Sequence, residues 1–63
     1  MRWFVEWSTG DVEGATSLYD ALSVVRETYG QAFTVRGDAA DGVVTCWLGD
    51  DHLATLKDTR HAN

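Results

Sequence analysis

Residues 16–30, TSLYDALSVVRETYG, read as an α-helix, and the rest of the chain is arranged around it. Ser17 is a good N-cap, and Asp20 three residues later makes a capping-box-like pair. Leu18, Leu22, Val25 and Tyr29 recur at helical spacing, with Ala21 in the same stripe. Arg26 falls in the last turn, where the helix dipole favours a cation. Gly30 follows as a left-handed stop. Nothing elsewhere in the chain repeats this pattern, so one helix is expected.

On the N-terminal side, residues 2–8 alternate. Trp3, Val5 and Trp7 point one way and Phe4 and Glu6 the other, as in a strand. Residues 8–14, STGDVEG, are a loop or a tight hairpin with a return strand over residues 11–15; both readings fit. On the C-terminal side, residues 31–36 form a strand with Phe33 and Val35 on one face and Thr34 and Arg36 on the other. Residues 37–42, GDAADG, hold an Asp-Gly turn of the kind that joins hairpin strands. Residues 43–48, VVTCWL, are the most apolar strand, with Val43, Thr45 and Trp47 opposed to Val44, Cys46 and Leu48. A second tight turn covers residues 49–51. Residues 52–57 then alternate, Leu53 and Thr55 against Ala54 and Leu56, and the polar residues 58–63 are expected to fray.

This order predicts an α+β fold, β(β)αβββ: one α-helix packed across one face of a three- to five-stranded antiparallel sheet, in a single domain over residues 1–63. A helix of about a dozen residues covers one sheet face. Both faces of these strands carry apolar residues, so some apolar surface is expected away from the helix.

At 63 residues the chain hides only about 60% of the surface its unfolded form exposes. The usual reinforcements are missing. A single cysteine, Cys46, permits no internal disulfide, and no Cys and His cluster has metal-ligand spacing. MRWFVEWS does not read as a signal peptide, because Glu6 interrupts a short apolar run. No stretch approaches the roughly 20 apolar residues of a membrane span. The expectation is a protein of the bacterial cytoplasm with no membrane partner. Ten acids against five bases leave a net charge of −5, which argues against direct binding to nucleic acid and permits a basic protein partner.

Asp50, Asp51 and His52 form the most enzyme-like cluster, but neighbours in a tight turn diverge and nothing completes a site. Cys46 lies in the most apolar strand, where a thiol behaves as a small buried hydrophobe. Ser8, Ser17 and Ser23 have no elbow or base pattern. Residues 38–42 lack the alternating acids and distal Glu of a calcium loop. Trp3, Trp7 and Trp47 have no interleaved basic residues to make them base-stacking platforms; they read as core, one of them partly exposed as a contact anchor. The expectation is no catalytic site, no cofactor and no metal.

Asp11, Glu13, Asp38, Asp41, Asp50 and Asp51 all fall in expected turns. Turns favour Asp for its own backbone hydrogen bonds, which accounts for some of this placement. If residues 11–15 are a loop, Asp11, Glu13, Asp38 and Asp41 share one end of the sheet. If they are a strand, Asp11 joins Asp50 and Asp51 at the opposite end. Either way the acids bunch at sheet ends, where they can meet Lys and Arg of a nucleic-acid-handling protein.

In length, acidity and single-helix α+β layout the whole chain resembles the small anti-CRISPR proteins of phages and mobile elements, particularly inhibitors of type I systems. That group shares no sequence motif. The resemblance implies a non-catalytic inhibitor that binds a Cas subunit or effector complex and blocks target DNA recognition, in some cases as an acidic mimic of DNA. The six acids above are then the partner-binding residues, an assignment made from their position. The competing reading is an antitoxin-like or assembly module acting through apolar sheet or edge-strand pairing. Its surface would be Phe4, Val44, Cys46 and Leu48, or an edge strand over residues 53–57. The chain is expected to be a monomer or homodimer, and a stable homodimer favours the competing reading over a monomeric mimic.

Overall fold

The computed structural model describes residues 2–30 and 32–59. Its elements are β1 (Trp3–Trp7), β2 (Val12–Ala15), α1 (Leu18–Tyr29), β3 (Thr34–Asp38), a 3-10 turn (Ala39–Asp41), β4 (Val43–Leu48) and β5 (Asp51–Asp58). The five strands form one antiparallel sheet in the order β2-β1-β5-β4-β3. Residues 11–15 do make a return strand, over Val12–Ala15, pairing Trp3 with Ala15 and Glu6 with Val12. The fold is therefore the expected single helix on an antiparallel sheet.

The helix forms where its caps and stripe place it. The Ser17 side chain accepts a hydrogen bond from the Asp20 N–H at 3.0 Å. The Asp20 carboxylate reaches back to the Thr16 N–H, also at 3.0 Å, one residue beyond the partner a capping box would use. Gly30 closes the helix at φ 73°, its N–H donating to the Arg26 carbonyl. Ala21 and Val25 are buried, with Leu18 and Leu22 packed partly against the same core.

That core lies between the helix and one sheet face. Trp3 and Val5 of β1, Ala15 of β2, Val44 and Cys46 of β4, and Ala54 and Leu56 of β5 all point into it. Leu53 joins them, which simple alternation does not allow. Cys46 pairs with Ala54 but Trp47 pairs with His52, so Leu53 is the extra residue of a β-bulge. The expected grouping of Leu53 with Thr55, against Ala54 and Leu56, is thus corrected. The bulge buries Leu53 and Ala54 together and turns His52 to the face that holds Thr55. The two side chains hydrogen-bond there at 2.9 Å.

Further boundaries move. The strand expected over residues 31–36 runs instead from Thr34 to Asp38; Gln31 lies outside the described residues. Gly37 and Asp38 are drawn into the ladder by Val44 and Val43. The turn tightens to Ala39–Asp41, capped by the Asp38 carboxylate on the Ala40 N–H and closed by Gly42 at φ 79°. Asp51 belongs to β5, paired with Leu48. Asp58, expected to begin a frayed tail, ends β5 fully buried, its N–H donating to the Gly42 carbonyl. Thr59 donates to the Arg2 carbonyl; the rest of the expected tail lies outside the described residues.

Gly37 is a position where glycine is required. Its φ is 106°, and a Cβ there would stand 3.0 Å from the Val43 carbonyl oxygen and 3.3 Å from the Val44 Cα. Both obstacles are backbone. Gly37→Ala is expected to destabilise the fold by about 1–3 kcal/mol, read as a lowered midpoint of urea unfolding. Gly14→Ala, in open space at negative φ, should leave the midpoint nearly unchanged.

Candidate functional site

The antiparallel topology assigns every turn to an end. The β1–β2 turn, the β4–β5 turn and the C-terminus of α1 share one end. The helix N-terminus and the β3–β4 turn share the other. Asp11, Asp50 and Asp51 therefore gather at the first end, as the return-strand alternative requires, and Asp38 and Asp41 sit at the second. Glu13 is at neither, because it lies within β2 opposite Val5. The six acids do not form one patch. All are exposed.

The first end also receives the carbonyl end of α1, partly offset by Arg26 in the last helical turn. The carbonyl end of a helix carries roughly half a negative charge, and α1 points that end at the β1–β2 turn. The approach is fixed by packing of Tyr29 against Trp7, with ring centroids 6.1 Å apart and a tilt of 45°. Trp7, Thr9, Asp11, Glu13, Thr28 and Tyr29 line a cleft there of about 270 Å³. Two aromatic rings and two carboxylates in one concavity suit a basic side chain, which the ring faces and the acids attract together. The pairing of Trp7 with Tyr29 is not readable from either element alone, since it depends on the crossing of helix and sheet.

The sheet face away from the helix holds Phe4, opposite Gly14 and Lys57, and a row of polar and aromatic groups. Arg36 lies 4.7 Å from the Trp47 ring centroid, and His52 packs tilted against the same ring, with centroids 5.1 Å apart. The Trp47 indole N–H donates to the Thr45 hydroxyl at 2.8 Å. Lys57 and Glu6 form an ion pair at 2.9 Å. Half-exposed pairs of this kind are worth about 0–1 kcal/mol. Trp47 is thus the tryptophan that leaves the helix side, while Trp3 is buried in the core and Trp7 half-buried at its rim.

The apolar surface expected for pairing is not assembled. Val44 and Cys46 face the helix and are buried, and Leu48 sits exposed at the end of β4. Of that group only Phe4 is on the open face. The edge strand expected over residues 53–57 is the centre of the sheet, held by β1 on one side and β4 on the other. The real edges are β2 and β3.

Cys46 behaves as its strand suggests. It is fully buried, and burial pushes its thiol up from 9.0 to about 11. The neutral form is the stable one, so its contribution to stability is intact below about pH 9 and weakens as pH rises toward 11. Iodoacetamide at pH 8 is expected to leave the folded protein unlabelled and to react once the chain is unfolded in guanidinium. Equal labelling of both would show an open core.

Among the described residues, no three His, Cys, Asp or Glu side chains converge to hold a metal, and no helix is long and apolar enough to cross a membrane. No protein-family model, characterised protein or solved structure matches the chain.

Proposed function

We propose that this chain is a small acidic, non-catalytic inhibitor, of the anti-CRISPR kind made by phages, that binds a basic surface on a nucleic-acid-handling protein. The partner is a Cas subunit or type I effector complex, and the consequence is loss of target DNA binding. The observation that supports this reading is the gathering of Asp11, Asp50 and Asp51 at the end where the α1 carbonyls also terminate, beside the Trp7–Tyr29 cleft. A surface evolved to hold phosphates presents Lys and Arg, and this end offers them carboxylates in place of phosphates. The cleft supplies what a purely electrostatic contact lacks, a concave aromatic anchor at which one arginine or lysine is desolvated. Asp38 and Asp41, at the far end, fall outside the central contact, while Glu13, on the β2 edge, reaches it as part of the cleft lining.

The reading is tested by adding the protein to purified type I effector complexes and measuring their binding to target DNA. Inhibition is expected at near-stoichiometric concentrations and should weaken as salt is raised. Full DNA binding by every complex in the presence of excess protein would reject it.

A further inference from the structure

We propose that the outer edge of β3, with the groove between it and α1, takes an extended acidic segment of a partner protein as a sixth strand. This goes beyond the acidic-end reading and stands apart from it, since it lies on the opposite edge of the sheet from the Trp7–Tyr29 cleft.

Three observations meet at this edge. First, β3 ends the sheet and no described strand pairs with its outer side, so its outward backbone groups are open to another chain. All of its residues are exposed. Second, α1 rests on β1, β2 and β5 rather than on β3. The offset opens a groove of about 480 Å³ lined by Leu22, Arg26, Phe33 and Val35. Third, the edge is cationic in a chain of net charge −5. Arg26 stands over it on the helix side and Arg36 on the open face. Lys57 is engaged by Glu6, and the Asp38 carboxylate is turned into its own 3-10 turn. The other edge, β2, is four residues long and has Glu13 on it and Asp11 beside it, so it repels the same ligand.

The side chains of an added strand alternate between the two faces. On the helix side, one apolar residue fills the groove among Leu22, Phe33 and Val35, and an acidic residue two positions away meets Arg26. An acidic residue between them, on the opposite face, meets Arg36. A second copy of this chain is the poorer occupant. Antiparallel self-pairing about the middle of β3 sets Arg36 opposite Arg36, and like charges directly opposed are destabilising.

The test is selection from a phage-displayed library of random octapeptides on the wild-type protein, counter-selected on Arg26→Glu. Enriched peptides should place Asp or Glu two residues from Val, Ile, Leu or Phe. A synthetic peptide of the enriched sequence should shift the amide resonances of residues 33–38. Its affinity should fall at least about tenfold in Arg26→Glu and also in Val35→Glu, two exposed positions whose variants are checked for the wild-type circular dichroism spectrum. The proposal is overturned by no enrichment over the Arg26→Glu decoy, by amide shifts confined to other strands, or by a concentration-dependent doubling of mass that shows β3 occupied by a second copy.

Discussion

Leu56→Ala is expected to remove about half or more of the stability of the fold. Leu56 is fully buried in the central strand, paired with Val5 on one side and Val44 on the other. Its side chain lies where the helix stripe of Ala21 and Val25 meets the sheet. Removing a buried leucine costs about 2–5 kcal/mol, the larger values where neighbours are held too firmly to close the cavity. Here they are held on both sides by strand ladders. A domain of this size has about 3–9 kcal/mol in total, with no disulfide to limit the unfolded state. Urea titration followed by tryptophan fluorescence should show a midpoint at about half the wild-type urea concentration or lower. Leu48→Ala, at an exposed strand end, is the matched control and should shift the midpoint little. A cooperative Leu56→Ala transition close to wild type would mean that the helix does not seal this face.

Replacing Asp11, Asp50 and Asp51 together by Lys is expected to weaken partner binding by at least about 100-fold, or roughly 2.7 kcal/mol. Each reversal moves the charge by two, so the chain passes from −5 to +1. The loss should exceed what net charge alone produces, because the new lysines face the partner's basic groups at short range. The comparison that separates the two is Asp41→Lys with Asp38→Asn at the far end, which keeps an oxygen on the Ala40 N–H and takes the chain to −2, a change that by net charge alone would cost about tenfold. That variant should bind within a few-fold of wild type. The three reversed side chains are exposed and the only described contact among their carboxylates is a 3.4 Å hydrogen bond from Thr9 to Asp11. The fold should therefore survive, as circular dichroism can verify.

The helix was legible residue by residue because its signals are local: cap, stripe and stop all lie within residues 16–30. The alternation of β1 and β4 was equally local. What could not be read was whatever depended on pairing. The bulge at Leu53 arises from the register of β5 against β4, and it moved one leucine and one histidine to the faces opposite those alternation predicts. Strand order placed residues 53–57 at the centre of the sheet, because β1 returns to pair with β5. The acids illustrate both cases. Five of the six lie at sheet ends, as turn chemistry implies, but which of them share an end, and that Glu13 lies at neither, rested on whether residues 11–15 pair with β1. The Trp7–Tyr29 cleft and the β3 groove come from how α1 crosses the sheet, and no stretch of sequence records that crossing.

The most direct measurement is capture from a panel of type I CRISPR effector complexes, read by mass spectrometry, with the wild type and the Asp11, Asp50, Asp51 triple lysine variant side by side. The account predicts that the wild type retains effector subunits, that added salt releases them, and that the triple variant retains none. Equal retention by both proteins, or retention by neither, would contradict it.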